Sequence, residues 1–249
     1  KNKKQLEVNT NGTSNVVNAC LEAAGIKLIH ISSIATLGQV LSDIPLNESN
    51  LWNNDTSSSA YSISKYKGEM EVWRGIFEGL DAVILNPSVI IGPGMNFGPA
   101  AHLFDHVRKG QKFYTGGTSG YVDVRDVAKI MMMVSDNSIT GERFIVSSGN
   151  FPHRHILNLL ADGFGQPHPK YEVTPLIARI AVILEGIRSL ITFSDARINR
   201  KALQIAGSRL QYSNDKITKW LSFDFMPPEH SVRDAVDFYN FFFNSRVTI

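Results

Sequence analysis

The chain has 249 residues, of which 43% are hydrophobic and 19% charged, an ordinary balance for a globular protein that buries a core. The formal net charge of +2 gives no sign of a nucleic-acid or membrane-surface partner. The longest apolar stretch, "PLIARIAVILEGIRSLI", is interrupted by charged residues, so we expect no membrane span. The single cysteine, Cys20, cannot form an internal disulfide, which fits a reducing cytoplasm.

The first elements alternate between helix and strand. Apolar residues recur at helical spacing over about residues 8–24, and the apolar run "IKLIHIS" predicts a buried strand. The polar stretch 34–58 predicts a loop. A helix is predicted from Tyr61 to about Glu78, and "DAVILNP" predicts the next buried strand.

The second half continues this alternation and then becomes mainly helical. After the loop "IGPGMNFGP" we predict a helix over about 100–109, a Gly-rich connection "TGGTSG", a strand in "YVDV", a helix in "RDVAKIMMMVSD" and a buried strand in "RFIVSS". Further helices are expected over roughly 153–163, 176–192, 194–205, 213–221 and 229–244. Continuous apolar strands that alternate with helices predict an α/β fold with a parallel sheet covered on both faces.

Two residues of the helix after the polar loop could carry chemistry. Tyr61 and Lys65 are four residues apart, so they lie on one helix face. A lysine ammonium favours the phenolate form of a nearby tyrosine, which can then exchange a proton with a hydroxyl or carbonyl. Ser33, or its neighbour Ser32, could hold the substrate oxygen at the carboxyl end of the preceding strand. Such a trio suits hydride transfer to or from a nicotinamide cofactor, in which the protein handles only the proton. A tyrosine and a lysine four residues apart are, however, more often two exposed helix residues when nothing else accompanies them.

The order of these features resembles a known family. Strand, Ser-Ser, loop, Tyr-x-x-x-Lys helix, strand, Pro and Gly-Pro-Gly are arranged as in the extended short-chain dehydrogenases/reductases of the NAD-dependent epimerase/dehydratase superfamily. The matching stretches are "VNTNGTSNVVNAC", "LIHISSIATLG", "YSISKYKGEMEV", "ILNPSVIIGPG" and "GYVDVRDVAKIM", which cover most of residues 8–150. The resemblance implies an NAD(P)-binding Rossmann-like fold, NAD or NADP as cofactor, a small-molecule substrate and a homodimer. It also implies site residues: Ser33, Tyr61 and Lys65 as catalytic, and Tyr61, Lys65, Pro87, Ser88 and Val89 as cofactor-binding.

The same resemblance implies a division into domains. Residues 1–94 and 121–150 would form the C-terminal part of the dinucleotide-binding domain, and residues 95–120 and 151–249 a smaller, mostly helical substrate lobe. The family's Gly-rich phosphate-binding turn follows its first strand, whereas Gly92, Gly94 and Gly98 have another spacing and follow a late strand. We therefore expect that about the first third of the family's length is missing from this chain. Without the phosphate-binding turn, we expect this chain alone to bind a dinucleotide poorly and to be inactive.

The residues after Ser33 bear on the reaction. Ile34 and Ala35 stand where the dehydratase branch has carboxylates, and "TLG" stands where epimerases commonly have Val-Tyr-Gly. "SSIATLG" and "NPSVIIGPG" are more similar to the branch with dihydroflavonol reductase and 3β-hydroxysteroid dehydrogenase relatives. We therefore predict an NAD(P)-dependent reductase or dehydrogenase that interconverts a ketone and a secondary alcohol. A nucleotide-sugar epimerase and a non-catalytic dinucleotide-binding relative are the alternatives.

Other conspicuous residues are expected to be structural. Asp123, Arg125 and Asp126 should form an acidic helix N-terminus with local ion pairs. The three consecutive methionines 131–133 are expected to lie in the core. His102 and His106 are four residues apart on a predicted helix, but no third ligand accompanies them, so we expect no metal site.

Overall fold

The computed structural model describes residues 2–38, 44–52, 59–94, 99–180, 182–183 and 207–246, without the side chains at 2–3, 99–102 and 243–246. Its first half contains α1 (Asn2–Ala23), β1 (Leu28–Ile31), a 3-10 turn (Ile34–Thr36), α2 (Ala60–Phe77), β2 (Ala82–Pro87) and β3 (Val89–Ile91). The helices and strands predicted for this half are confirmed, although α1 begins earlier than its apolar pattern. The short strand β3 was not predicted.

The second half follows the predicted order with shifted boundaries. Its elements are α3 (Pro99–Arg108), β4 (Phe113–Tyr114), β5 (Thr118–Asp123), α4 (Val124–Ser135), β6 (Glu142–Val146), β7 (Gly149–Pro152), α5 (His153–Gly163), β8 (Tyr171–Glu172), α6 (Asp215–Leu221) and α7 (Pro228–Arg246). The expected connection "TGGTSG" was wrong in part, because β5 begins at its fourth residue. Residues 175–180 are helical, whereas the helix predicted over 194–205 lies outside the described residues.

The main sheet is parallel, as the strand pattern predicts. Its order is β1-β2-β6. β2 is the middle strand, and its register places Val83 opposite Ile29 and Leu85 opposite both Ile31 and Phe144. All residues of β2 are buried, which explains why its sequence is a continuous apolar run rather than an alternating one.

The two faces of this sheet are packed by different helices. On one face, Val83 and Leu85 join a cluster with residues of α4, β6 and α6. On the other face, Ala82 and Ile84 pack against α1 and α2. Each large side chain that is fully buried in this way contributes roughly 1.5–3 kcal/mol to folding.

Helices α1 and α2 approach each other closely because two positions of α2 are glycine. A Cβ on Gly75 would lie 2.6 Å from Cγ1 of Val17, and a Cβ on Gly68 would lie 2.8 Å from the carbonyl oxygen of Asn9. Real Cβ contacts are not that short, so a larger residue would force these helices apart. The sequence pattern alone did not indicate this requirement.

The chain divides into two compact units. The first comprises residues 1–90, 120–149 and 212–226, and the second comprises residues 91–119, 150–211 and 227–249. Residues 212–226, which were expected in the substrate lobe, belong to the first unit. In the second unit, aromatic rings of α3, α7 and the residue after α5 (Phe104, Tyr239 and Phe164) form a cluster with centroid separations of 5.6–6.3 Å.

The remaining strands form two smaller sheets, β3-β5-β7 and β4-β8. Within the described part of the chain, no helix combines the length and the apolar composition needed to cross a membrane.

Candidate active site

Ser33 lies two residues after β1 and caps the 3-10 turn. Its backbone is extended, and its side-chain oxygen accepts a hydrogen bond from the backbone N–H of Ala35 at 3.2 Å. Serine is favoured at such N-cap positions because its oxygen satisfies an N–H that has no partner within the turn. The local sequence therefore fixes the Ser33 hydroxyl at the carboxyl end of a parallel strand, where sites of α/β sheets lie.

Helix α2 supplies the other two predicted catalytic residues. Ser59 is its N-cap and accepts from the N–H of Ser62 at 3.0 Å, so Tyr61 lies in the first turn. The Tyr61 side chain is 46% exposed. Lys65 follows one turn later on the same face.

Lys65 is directed to the carboxyl end of β1. Its Nζ donates a hydrogen bond to the carbonyl oxygen of Ile31 at 2.8 Å, two residues before Ser33. An ammonium has three N–H donors, and among the described residues only Ile31 receives one from Lys65. Within the described ranges, the other two donors have no protein partner.

The surroundings of Lys65 alter its protonation. Burial lowers the pKa of the Lys65 amine below its ordinary value, and the nearby carboxylate of Glu69 partly opposes this by raising the pKa. The ammonium is therefore a stronger acid than that of an exposed lysine.

The predicted cofactor-binding stretch occupies the end of β2. Pro87 is the last residue of this strand and is buried, as is Ser88, whose N–H donates to the carbonyl of Val146 at 3.0 Å. Val89 and Ile90 follow with 40% and 37% of their surfaces exposed. The buried strand β2 is thus followed by two exposed apolar side chains of β3, just past the strand end.

Sequence reasoning missed a buried polar network next to these residues. Glu69 is 1% exposed and pairs with Arg143 of β6 at 3.2 Å, and Asn86 of β2 is fully buried beside it. One signal was present, because Glu69 follows Lys65 by four residues and so lies on the face that carries Tyr61 and Lys65. Arg143 and Asn86 are distant in sequence, and no local pattern connects them with Glu69.

The expected structural role of the acidic helix start is confirmed. Asp123 caps α4, accepts from the N–H of Arg125 at 2.7 Å and pairs with its guanidinium at 2.8 Å. Asp126 accepts from the N–H of Met226 at 2.6 Å. The Asp126 carboxylate thus connects α4 with the segment that follows α6.

The methionines 131–133 and the histidine pair His102 and His106 were the other conspicuous residues of the sequence. The core placement of the three methionines was wrong for Met132 and Met133, which are 65% and 37% exposed, whereas Met131 packs against the core. The side chain of His102 lies outside the description. In the described ranges, no group of three or more His, Cys, Asp or Glu residues could hold a metal ion.

Parallel strands linked through helices, with a serine-capped turn and a Tyr-x-x-x-Lys helix at the carboxyl end of β1, place the chain in the α/β class with a parallel sheet. Comparison with family models specifies it further: residues 1–147 match the NAD dependent epimerase/dehydratase family. The chain belongs to this family.

Curated relatives include several named as reductases. The chain is 31% identical over 172 residues to the putative dihydroflavonol 4-reductase of Synechocystis sp., covering 66% of this chain and 50% of that protein. It is 25% identical over 207 residues to sterol demethylase protein B of Methylococcus capsulatus, covering 81% of this chain and 62% of that protein. The chain thus spans about half to three fifths of the length of these relatives.

Solved structures share the Rossmann fold. The structure of gox2253 superposes with a TM-score of 0.82 at 24% identity, covering 97% of this chain and 74% of that one. WbmG of Bordetella bronchiseptica, solved in complex with NAD and UDP, gives a TM-score of 0.70 at 16% identity, covering 95% of this chain and 67% of that one. RMD of Pseudomonas aeruginosa, complexed with NADPH, gives 0.67 at 20% identity, covering 94% and 73%.

Proposed function

We propose that this chain carries the proton-transfer centre of an NAD(P)-dependent oxidoreductase that interconverts a ketone and a secondary alcohol. One observation carries the proposal: Lys65 is hydrogen-bonded to Ile31 at the end of β1, beside the turn that Ser33 caps. Tyr61 lies one turn away on the same helix face and is exposed enough to meet a substrate.

Each of the three side chains has a distinct task in this proposal. The Ser33 hydroxyl donates a hydrogen bond to the substrate oxygen and holds it in place. The Tyr61 hydroxyl donates its proton to that oxygen during reduction and accepts one during oxidation. The Lys65 ammonium stabilises the phenolate left on Tyr61, because opposite charges attract strongly away from bulk water.

The residues at the end of β2 fit a nicotinamide cofactor. The exposed apolar side chain of Val89 can pack against a flat ring, and the two remaining Lys65 donors can bind ribose hydroxyls. The cofactor, when bound, supplies or accepts the hydride. Pro87 and Ser88 hold this segment in place from within the buried end of the strand.

Reduction is favoured over the other reactions of the family. The two residues after Ser33 carry no acid or base, and Ile34 is buried in the turn, so the extra proton-transfer groups of an elimination have no counterpart there. The names of the curated relatives, among them dihydroflavonol and cinnamoyl-CoA reductases, agree with a carbonyl substrate.

Turnover of the Tyr61→Phe variant tests the proposal. Because this chain alone is expected to be inactive, the assay is made on the whole gene product. With NADPH or NADH, and with a dihydroflavonol or cinnamoyl-CoA as probe, we expect kcat to fall by about 10²–10⁴, because Phe cannot transfer a proton. Loss of nicotinamide absorbance measures the rate. Tyr66→Phe is the matched control: Tyr66 lies on the same helix, stacked on Trp52 at 4.6 Å, and should retain full activity.

Three outcomes would contradict the proposal. Undiminished turnover by Tyr61→Phe would remove the tyrosine from the chemistry. Conversion of a nucleotide sugar to its epimer without net oxidation or reduction would identify an epimerase instead. A wild-type protein that binds a dinucleotide but turns over neither carbonyl probe would favour a non-catalytic relative.

Cofactor binding is tested separately, by titrating NADH and NADPH and following nicotinamide fluorescence. The titration is made on this chain and, where the gene encodes residues ahead of Lys1, on the whole gene product. Binding by the longer form alone would support our expectation that the phosphate-binding turn lies outside this chain. Tight binding by this chain would show that expectation to be wrong.

We further propose a homodimer formed through α1 and α2 and located in the cytoplasm. Apolar side chains on these helices are exposed, with Val8 at 59%, Val16 at 49% and Met70 at 43%. Sedimentation of wild type and Val16→Glu tests the dimer, because a charge at a packed interface should separate the subunits. The location remains a prediction from the free cysteine, Cys20.

A further inference from the structure

A buried carboxylate lies between the catalytic helix and the sheet. Glu69 accepts hydrogen bonds at Oε2 from the hydroxyl of Ser32 at 2.5 Å, the hydroxyl of Thr36 at 2.8 Å and the amide of Asn86 at 2.9 Å. Its Oε1 faces the guanidinium of Arg143 at 3.2 Å. Burial of a charge is costly unless it is paired and hydrogen-bonded, and here both oxygens have partners.

The donors to Glu69 surround Ser33. Ser32 is the preceding residue, and Thr36 ends the 3-10 turn that Ser33 caps. The Asn86 amide also lies 3.1 Å from the carbonyl oxygen of Ser33, and the Thr36 hydroxyl lies 2.9 Å from the same oxygen. The backbone on both sides of Ser33 is thus connected to one carboxylate.

The same carboxylate belongs to the helix that carries the other two catalytic residues. Tyr61, Lys65 and Glu69 are spaced by four residues and so share one face of α2. Lys65 donates a hydrogen bond to Ile31, and Glu69 accepts hydrogen bonds from Ser32 and Thr36, so this helix face is attached to one continuous stretch of chain. A change in the position of Ser33 relative to Tyr61 would have to break these contacts.

We infer that Glu69 is a positioning residue that holds the Ser33 turn in register with Tyr61 and Lys65. This inference rests on the proposed function. Asn86 and Arg143 complete the arrangement, since Asn86 bridges Glu69 to Ser33 and Arg143 neutralises the buried charge. Misplacement of a reacting group by about 1 Å can reduce a rate by about 10²-fold, so the precision that Glu69 supplies matters for catalysis.

The carboxylate also has an electrostatic effect. Among the described residues, the charged or titratable groups that interact with Lys65 are Glu69 on α2 and His30 on β1, and Tyr61 lies one helical turn before Lys65. Glu69 raises the pKa of Lys65 against the effect of burial, so it helps to retain the ammonium. Replacement of Glu69 by Gln should therefore shift the Lys65 titration, and the limb of the pH–rate profile that depends on it, to lower pH.

Hydrogen exchange of the Glu69→Gln protein tests the positioning role without any need for turnover. The amides of Thr36 and Leu37 close the turn by donating to Ser33 and Ile34 at 3.1 Å each. In Glu69→Gln we expect these two amides to exchange about tenfold or more faster, while those of β2 stay protected, because only the turn loses its anchor. Glu71→Gln is the control, since Glu71 pairs with Arg74 at the helix surface and should change neither set.

Kinetics then separates positioning from a merely structural role. We expect Glu69→Gln to lower kcat by about 10- to 100-fold with KM changed by less than about threefold, because binding groups stay while alignment is lost. If Glu69→Gln does not fold, Thr36→Val tests the inference in its place. This variant removes one hydroxyl that contacts Glu69. We expect it to speed hydrogen exchange at the Leu37 amide and to lower kcat by several fold.

The outcomes distinguish this inference from the proposed function. Unchanged exchange at Thr36 and Leu37, with kcat within about twofold of wild type, would overturn the role of Glu69 in an active enzyme. Faster exchange in the variant together with no turnover by wild type would support the anchoring of the turn while contradicting the proposed oxidoreductase. If Glu69→Gln does not fold, a Thr36→Val protein with wild-type exchange and kcat would overturn the inference.

Discussion

The two faces of the main sheet differ in what they bury. On the face covered by α4 and α6, the side chains of β2 and β6 join a cluster that is entirely apolar, with Phe144 fully buried. On the face covered by α1 and α2, apolar packing at Ile84 gives way to the network of Asn86, Glu69 and Arg143. Both sides of the sheet also bury charged side chains, but on the side of α4 these are Asp123 and Asp126 at the start of the helix, whereas on the side of α1 and α2 they lie in direct contact with a strand of the sheet and the Ser33 turn.

The apolar face mainly stabilises the fold, whereas the polar face fixes the positions of individual groups. Apolar packing is non-directional, so it stabilises the fold without fixing any single group to a fraction of an ångström. Hydrogen bonds to a buried charge have strict geometry, and they cost desolvation that apolar residues would not incur. The polar face lies at the carboxyl ends of β1 and β2, next to Ser33 and Lys65, where directional contacts are useful for chemistry.

The largest expected effect is on the apolar face. Phe144→Ala should lower the free energy of unfolding by about 4 kcal/mol, because it leaves a cavity beneath α6 and removes the contacts of the ring with Lys216 and Trp220. Urea denaturation measures the loss. Phe77→Ala, whose side chain is 88% exposed, should change stability by less than about 0.5 kcal/mol. Equal effects of the two substitutions would contradict the assigned core.

The polar face is tested by Arg143→Met. This change leaves Glu69 without its cation and removes donors to the carbonyls of Glu48 and Asn50, so we expect a loss of about 3 kcal/mol in the free energy of unfolding. Arg74→Met is the surface comparison, because its partners Glu71 and Glu78 are solvated, and it should cost less than about 1 kcal/mol. If Arg143→Met were more stable than wild type, the free energy needed to desolvate Arg143 would exceed the stabilisation from its contacts.

The same face should make stability depend on pH through His30. Burial, aided by Lys65 and opposed by Glu69, lowers the pKa of His30 from 6.5 to about 4. Between these values the unfolded chain binds a proton that the folded protein does not, so stability is greatest above about pH 6.5 and falls towards pH 4.

From about pH 7 to pH 5 the loss attributable to His30 should be about 2 kcal/mol. Denaturation of wild type and His30→Gln over this range isolates it, since other titrating groups are common to both proteins. Parallel stability curves for the two proteins would show that His30 is not protected from protonation.

The smallest effect concerns the contact between α1 and α2. Gly75→Ala places a Cβ 2.6 Å from Val17, and we expect a loss of about 1–2 kcal/mol, measured by thermal unfolding. Gly12→Ala, in α1 with no atom within 4 Å of the new Cβ, should instead stabilise by about 0.5–1 kcal/mol through helix propensity. Stabilisation by both would show that the helices can separate at no cost.

The sequence by itself determined the alternation of helices and strands, the parallel sheet and the placement of Ser33, Tyr61 and Lys65. These features are local: apolar runs of strand length, a serine after a strand and a four-residue helical spacing are all visible within short stretches. The acidic cap at Asp123 was predicted for the same reason.

Only the tertiary structure decided which distant residues meet around that site. Arg143 is 74 residues from Glu69, and Asn86 is 53 residues from Ser33, so no periodicity relates them. The exposure of Met132 and the need for glycine at position 75 likewise depend on which helix face meets which neighbour. The physical reason is common to all four: short-range patterns fix backbone conformation, whereas buried charges and close contacts are set by packing between segments far apart in the chain.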